Sequence, residues 1–213
     1  MGLFDSLLGR TKPVRANLDA LFALPSAAVT LETAAGLSPT GHAAVCWKPP
    51  AGQGAADVQR EIAELLDLPD DVATAAPPGS SGDGGGSAAL PVGHLAEAED
   101  AYGYRWLLLD DPDIESLVTS LHLVNTTLTE NGWGPQLLCS VVGLAPGPGT
   151  PGDTGPCFLV YLYKRGTFYP FAPDGPEHRD NELELRVRAM VGSDLPIEPD
   201  LSRWFPMWDM PLR

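Results

Sequence analysis

Residues 157–163, with the sequence CFLVYLY, form a strand pattern that is apolar at every position. Successive side chains of a strand point to opposite faces of its sheet, so a strand without a polar face belongs in the middle of a sheet. Arg165 and Gly166 can turn the chain directly into a second strand at residues 167–171. The sequence therefore predicts an antiparallel hairpin as part of a larger sheet.

Strands are also predicted at residues 102–110 and 136–144, and a helix is predicted between them. Asp111 is placed to cap this helix with Pro112 in its first turn, and the pair Asn131 and Gly132 is placed to end it. The predicted buried face consists of Ile114, Leu117, Val118, Leu121, Val124 and Leu128.

Residues 181–191 fit two kinds of element. They alternate like a strand, but Glu182 and Glu184 each precede an arginine by four residues, which is a spacing that supports a helix. Asp180 is placed to cap that helix. We therefore predict a helix here.

The first 69 residues contain shorter predicted helices and strands. Asn17 is placed to cap a helix that Pro25 ends, and short strands are predicted at residues 29–32 and 43–48. Residues 55–68 have the apolar spacing of an amphipathic helix. The N-terminal part is thus expected to contain both helices and strands.

Residues 70–98 are rich in glycine, serine and proline and poor in large apolar side chains. This composition is typical of a flexible linker, and the glycine-rich run at residues 79–87 lacks the lysine of a phosphate-binding loop. We divide the chain into an N-terminal segment (1–12), an N-terminal half (13–69), the linker, and a C-terminal half (99–213). The two halves are expected to form one domain.

Most of the charge lies in the middle of the chain. The formal net charge is −15 at pH 7, and residues 61–163 hold 15 acidic residues and one basic residue, Arg105. This field repels phosphate backbones, so nucleic acid is not an expected partner. A solvated surface and a surface for a basic partner both remain open interpretations.

The N-terminal segment carries a short apolar stripe that is followed by cations. Such a stripe is typical of a small interfacial anchor for an anionic membrane, and docking on the protein's own domain is the alternative. The candidate membrane- or partner-binding residues are Leu3, Phe4, Leu7, Leu8, Arg10 and Lys12. The longest apolar run has seven residues, far short of the roughly 20 needed to cross a bilayer, so no membrane span is predicted.

The C-terminal end concentrates aromatic side chains in a proline-rich stretch. Trp204, Phe205 and Trp208 hold a large apolar area there. Such a patch can pack on its own domain or bind a partner.

No motif predicts a catalytic, cofactor-binding or metal-binding residue. The histidines occur in no metal spacing, and Asp110, Asp111 and Asp113 are better explained by helix capping than by a metal. The alternative that stays open is a Cys/His-dependent hydrolase, since such pairs need not be close in sequence. It would combine Cys139 or Cys157 with His42, His122 or His178.

The cellular location is predicted from the cysteines and the N-terminus. Three cysteines without a CxxC motif fit a reducing cytosol, and the N-terminus shows no secretory signal. We therefore expect a cytoplasmic protein, with peripheral contact at the inner face of the cell membrane if the N-terminal segment binds lipid.

Several segments together resemble the PspAB family, the PspA-associated protein B of actinobacteria and archaea. They are MGLFDSLLGRTKP, NLDALFALPSAAVTLE, WLLLDDPDIESLV, FLVYLYKRGTFYPFAP, RDNELELRVRAMV and LPIEPDLSRWFPMWDMPL. The resemblance implies a soluble accessory of the PspA envelope-stress system, whose central coiled-coil protein protects stressed membranes. It carries over no catalytic residue.

The expected fold class is α+β, with a largely antiparallel sheet and helices packed on one face. In this pattern the C-terminal half also resembles YbjN-like and type III secretion-chaperone domains. The expected function is a noncatalytic adaptor or regulator that binds a PspA-like coiled coil at the membrane surface. The first alternative is a chaperone-like module, in which a homodimer holds a client peptide.

Overall fold

The computed structural model describes residues 16–48, 94–147, 150 and 154–212. These residues contain three α-helices and six strands, and two short 3-10 helices at Leu18–Ala23 and Leu201–Arg203. The α-helices are α1 (Leu24–Ala35), α2 (Ile114–Glu130) and α3 (Asn181–Val191). The strands are β1 (Leu37–Trp47), β2 (His94–Glu99), β3 (Arg105–Asp110), β4 (Leu137–Pro146), β5 (Cys157–Leu162) and β6 (Thr167–Phe171).

The six strands form one antiparallel sheet in the order β2-β3-β1-β4-β5-β6. Strand β1 pairs with β3 on one side and with β4 on the other, so strands from the early and the late parts of the chain share the sheet. The predicted α+β class with an antiparallel sheet is confirmed. Neither the likeness to YbjN-like domains nor that to secretion chaperones is confirmed.

Both faces of the sheet are covered, which explains the apolar sequence of β5. Cys157, Leu159 and Tyr161 point to the face on which the three helices pack, which we call the helix face. Phe158 and Val160 point to the opposite face, which we call the back face. Because β5 lies between β4 and β6, its predicted place inside the sheet and its hairpin with β6 are confirmed.

The prediction for residues 18–35 is wrong beyond Pro25. The chain continues from the 3-10 helix into α1, and Pro25 lies in the first turn of α1, where proline has no hydrogen-bonding partner to lose. Residues 29–32, predicted as a strand, are therefore helical. The physical reason is packing, because Leu24 and Leu31 are buried against the sheet and this outweighs local strand preference.

The helical stretch Leu18–Ala35 is 18 residues long and apolar enough, by length and composition alone, to cross a membrane. Buried core helices meet the same criteria, as do signal sequences. In this structure Leu21, Leu24 and Leu31 are part of the core on the helix face.

Helix α2 confirms its predicted apolar face and its end at Asn131, but the predicted cap is wrong by two residues. Asp113, not Asp111, is the N-cap, and its carboxylate accepts a hydrogen bond from the Ser116 amide at 2.8 Å. This bond holds the pKa of Asp113 below its usual value. Asp111 instead accepts from the Asp113 amide at 2.9 Å, which forms a turn before the helix. Helix α3 with its cap at Asp180 agrees with the prediction.

The predicted boundary of the linker is wrong at its C-terminal end. Strand β2 begins at His94, inside the range 70–98, and pairs with β3 over six residues. The small side chains Ala96 and Ala98 gave no strand signal, and the pairing with β3 decides their conformation. The rest of that range, and the amphipathic helix predicted at 55–68, lie outside the described residues.

Candidate functional site

The chain after α3, which we call the C-terminal segment (residues 195–212), runs beside β6 and then across the back face. The Phe168 amide donates to the Pro196 carbonyl at 2.8 Å, and the Glu198 amide donates to the Phe168 carbonyl at 2.8 Å. The buried ring of Trp204 stacks on Tyr169 with 6.0 Å between ring centroids. The C-terminal segment thus forms a layer over part of the back face.

Glu198 holds the beginning of this layer and has no exposed surface. Its carboxylate accepts hydrogen bonds from Arg165, from the Thr167 hydroxyl at 2.9 Å and from the Asp200 amide at 3.2 Å. Burial raises the pKa of this carboxyl, but the hydrogen bonds and the Arg165 charge outweigh burial and lower its pKa below the usual value. The ionised carboxylate therefore joins β6 to the C-terminal segment.

Arg179 attaches the C-terminal segment to α3. Its Nη1 donates to the Trp204 carbonyl at 2.6 Å, and its Nε donates to the buried carboxylate of Glu184 at 2.8 Å. The guanidinium lies 5.3 Å from the ring centroid of Phe171 on the back face. These contacts position the aromatic residues that follow Trp204.

A cavity of about 440 Å³, which we call the back-face cavity, lies between the sheet and the C-terminal segment. Its size falls within the range of small-ligand sites, and most of its lining is apolar. Strand residues Cys46, Trp106, Cys139 and Tyr169 line it, as do Phe205, Met207, Trp208 and Met210 from the C-terminal segment. It is the candidate binding site of this protein.

Asp100 organises the turn at one end of the cavity, between β2 and β3. One carboxylate oxygen accepts from the amides of Tyr102 and Tyr104, at 2.9 and 3.0 Å. The other accepts from the indole nitrogen of Trp106 at 3.0 Å. Asp100 therefore positions the Trp106 ring in the cavity wall and the exposed ring of Tyr102 at the rim.

The three residues of the predicted aromatic patch lie at or next to this cavity, but their side chains differ in exposure. Trp204 is buried behind the cavity wall, and Trp208 is half-buried with its ring in an edge contact to Phe171 at 5.2 Å. Phe205 is 58% exposed and lines the rim. Phe205 is therefore the member of the patch that is most open to contact.

Two cysteines contribute to the strand wall of the cavity. Cys46 on β1 lies directly opposite Cys139 on β4, and both side chains line the cavity. The hydrogen bond to Cys139 raises the pKa of Cys46, and burial raises it further. Cys46 could not be singled out from the sequence, because only the strand register shows which cysteine faces which.

The predicted N-terminal site, Leu3, Phe4, Leu7, Leu8, Arg10 and Lys12, lies outside the described residues. Its role in membrane or partner binding therefore stays a prediction.

The histidines and cysteines proposed for a hydrolase lie in different surroundings. His42 pairs with Asp110 at 2.5 Å, His122 lies 3.7 Å from Asp19, and His178 lies 3.4 Å from Asp174. Cys157 is fully buried on the helix face, whereas Cys139 lines the back-face cavity. Among the described residues no hydrogen bond joins a cysteine to a histidine, so the structure does not assemble the proposed pair there.

The acidic residues around α2 act in capping and pairing. Asp111 and Asp113 form the turn and the cap of α2, and Asp110 pairs with His42. Within residues 16–48, 94–147 and 154–212 no group of three or more His, Cys, Asp or Glu side chains is arranged to hold a metal.

Fold and cavity together define an α+β protein with a candidate site for an apolar group on the back of its sheet. Comparison with protein families then identifies the chain more closely. The family model of PspAB, PspA associated protein B, matches residues 1–212, and the chain belongs to this family. It is thus an accessory protein linked to PspA. No curated protein and no solved structure matches the chain.

Proposed function

We propose that this protein is a noncatalytic adaptor that binds a PspA-type coiled-coil protein at the cytoplasmic surface of the membrane. Membership of the PspAB family is the observation that carries the proposal, since the description of the family is PspA associated protein B. An adaptor requires a binding surface but no catalytic site. The back-face cavity is the best candidate for that surface.

The chemistry of the cavity indicates what the partner presents. Its apolar walls suit a bulky apolar side chain on one face of a helix, which is a common mode of helix recognition. Asp100 and Asp209 place carboxylates at the lining, and these favour lysine or arginine next to the apolar side chain. The proposed ligand is therefore an amphipathic partner helix with basic flanks.

The proposal includes a second contact through the N-terminal segment. Its apolar stripe and the cations that follow match an anionic membrane surface. A stripe of two helical turns binds weakly alone, so the partner and the membrane would act together. Deletion of residues 1–12 is expected to reduce recovery on anionic vesicles in the presence of the partner. Unchanged recovery would remove the membrane contact from the proposal.

Binding of the purified PspA protein from the same organism tests the adaptor role. Phe205→Ala is expected to weaken binding by about tenfold, because exposed aromatic side chains at a cavity rim are typical anchors. Val29→Ala is the matched control, since Val29 is 63% exposed but lies on α1, on the other side of the sheet. Calorimetric titration measures both affinities.

Two results would count against the proposal at different levels. If wild-type protein does not bind PspA, the adaptor role is wrong. If Phe205→Ala binds as the wild type does while Val29→Ala binds weakly, the partner contacts the helix side and the back-face cavity is not the docking site.

One observation favours the chaperone-like alternative. Strand β2 is at the edge of the sheet, and no strand of the described chain pairs with its outer side. An open edge can accept a client strand or the same edge of a second copy. A dimer in solution whose interface involves β2 would support this alternative, whereas a monomer that binds a PspA helix would favour the adaptor.

A further inference from the structure

Cys46 and Cys139 are neighbours across two strands. They are directly opposite each other in the antiparallel pair of β1 and β4, and both lie on the back face. Opposite residues of such a pair have Cα atoms about 4.5–5.5 Å apart. A disulfide needs Cα atoms roughly 4.4–6.8 Å apart, so this pair can be bridged with its backbone in place.

The environment of the pair differs from that of an inert core cysteine. Both side chains line the back-face cavity, which gives a small solute a path to the sulfur atoms. Cys139 is 6% exposed and Cys46 is 2% exposed. The contact with Cys139 and burial together raise the pKa of Cys46, so the two side chains act on each other.

We propose that Cys46 and Cys139 form a two-thiol modification site that hydroperoxides oxidise to a disulfide between β1 and β4. Cys139 reacts first, and its thiol takes one oxygen from hydrogen peroxide to give a sulfenic acid and water. The Cys46 sulfur then attacks the Cys139 sulfur and expels a second water as the disulfide forms. The two thiols lose two electrons, and one peroxide gains them.

The order of attack follows from the exposure of the two residues. Cys139 is 6% exposed and Cys46 is 2% exposed, so peroxide that enters the back-face cavity reaches Cys139 more readily. The pKa of Cys46 is raised by its contact with Cys139 and by burial, which keeps Cys46 a thiol until the sulfenic acid is beside it. Cys139 is thus oxidised first, and Cys46 is the resolving residue.

Cys157 provides an internal control. It is fully buried on the helix face, and its partner across β4 is the apolar Leu144. Burial raises the pKa of Cys157 to about 12. Cys157 therefore has neither a neighbouring thiol across its strand pair nor a reactive thiolate, and it should stay reduced.

This inference goes beyond the adaptor role, because the site needs no partner protein. Its test on the isolated full-length chain therefore stands whether or not PspA binds.

The experiment exposes the folded, reduced protein to hydrogen peroxide, then unfolds it and alkylates the remaining thiols. Free thiols are expected to fall from three to one per chain, and peptide mapping should find Cys46 linked to Cys139. The mass should fall by two hydrogen atoms before alkylation, and dithiothreitol should restore all three thiols. Cys157→Ser should form the same link, and Cys46→Ala should leave a sulfenic acid on Cys139 that dimedone traps.

Three alkylated cysteines in peroxide-treated wild-type protein would overturn the proposal. So would a link that contains Cys157, or a sulfenic acid formed on Cys46 in Cys139→Ala as fast as on Cys139 in Cys46→Ala. Because mapping of the wild type alone can refute the site, the conclusion does not depend on whether a variant folds.

Discussion

At the scale of single residues, buried charge holds the C-terminal segment in place. Glu198 is fully buried and accepts hydrogen bonds from side chains of the β5–β6 turn and of β6 and from the Asp200 amide. A buried carboxylate is stable only when such partners replace water. The side-chain contacts between the C-terminal segment and the β5–β6 hairpin therefore depend on the ionised state of Glu198.

This dependence predicts how stability changes with pH. The folded-state pKa of Glu198 is lower than the value of an unfolded chain, which is about 4.3. The stabilisation is then fully present above the unfolded pKa and is lost as the pH falls through the folded pKa. Glu198→Gln should be less stable at neutral pH, with a difference from wild type that shrinks on acidification below about pH 4.

Urea unfolding between neutral and acid pH measures this difference. Glu130→Gln is the control, since Glu130 is exposed at the end of α2. Equal unfolding free energies of wild type and Glu198→Gln at every pH would show that Glu198 does not hold the segment.

At the scale of elements, the junction between α1 and β1 depends on Gly36. This residue ends α1 in the left-handed region, with φ of 66°, and its amide bonds back to the Glu32 carbonyl. A Cβ atom there would lie 2.5 Å from the Thr150 hydroxyl oxygen. Both the backbone angle and the close approach therefore require glycine.

Gly132 separates these two effects. It follows α2 with φ of 92°, but a Cβ atom there would meet nothing within 4 Å. Gly132→Ala should cost about 1 kcal/mol of unfolding free energy from backbone strain alone. Gly36→Ala should cost more, roughly 2 kcal/mol, because Thr150 must also move. Equal losses in urea unfolding would show that the contact with Thr150 is unimportant.

At the scale of the whole molecule, the described residues form three layers: helices, the sheet and the C-terminal segment. Trp204 contributes most to the third layer, with a buried ring on Tyr169 and an indole nitrogen that donates to the Glu198 carbonyl at 3.1 Å. Trp204→Ala should therefore cost about 3–5 kcal/mol of unfolding free energy.

Phe205→Ala is the matched control for this prediction, because its ring is 58% exposed and its loss should change stability by about 0.5 kcal/mol. If Trp204→Ala does not fold, Trp204→Phe still tests the layer, since it keeps an aromatic ring but loses the hydrogen bond and part of the buried area. If a Trp204 variant is as stable as Phe205→Ala, the C-terminal segment contributes little to the free energy of unfolding.

The disulfide proposed above would join two parts of the chain that are far apart in sequence. A link between Cys46 and Cys139 closes a loop of about 90 residues, for which chain entropy predicts roughly 4.6 kcal/mol of stabilisation. In a protein of this size that corresponds to a rise in Tm of roughly 10 °C. Calorimetry of the oxidised and reduced protein measures it, and peroxide-treated Cys46→Ala, which cannot form the link, should show no such rise.

Elements with strong local signals could be predicted from the sequence. The β5–β6 hairpin followed from an apolar run and a tight turn. Helix α2 followed from its apolar spacing, and helix α3 followed from its charge spacing and its cap at Asp180. Elements with weak local signals could not. Pro25 is compatible with either the end or the first turn of a helix, and the alanines of β2 have no strand preference, so packing decided both.

The candidate site shows the same division. The aromatic residues of the C-terminal segment could be recognised in the sequence, because their size and number mark them as a large apolar area. Their positions could not: Trp204 is buried and Phe205 is exposed only because the segment is attached to β6 through Glu198 and to α3 through Arg179.

The pairing of Cys46 with Cys139 arises in the tertiary structure alone. Local sequence specifies the period of a strand, and hence that a cysteine can lie on the back face. Which residue lies opposite depends on the register between strands, which is set by the packing of both faces at once. Periodicity and caps therefore determined the elements of this protein, whereas long-range packing created its cavity and brought the two thiols together.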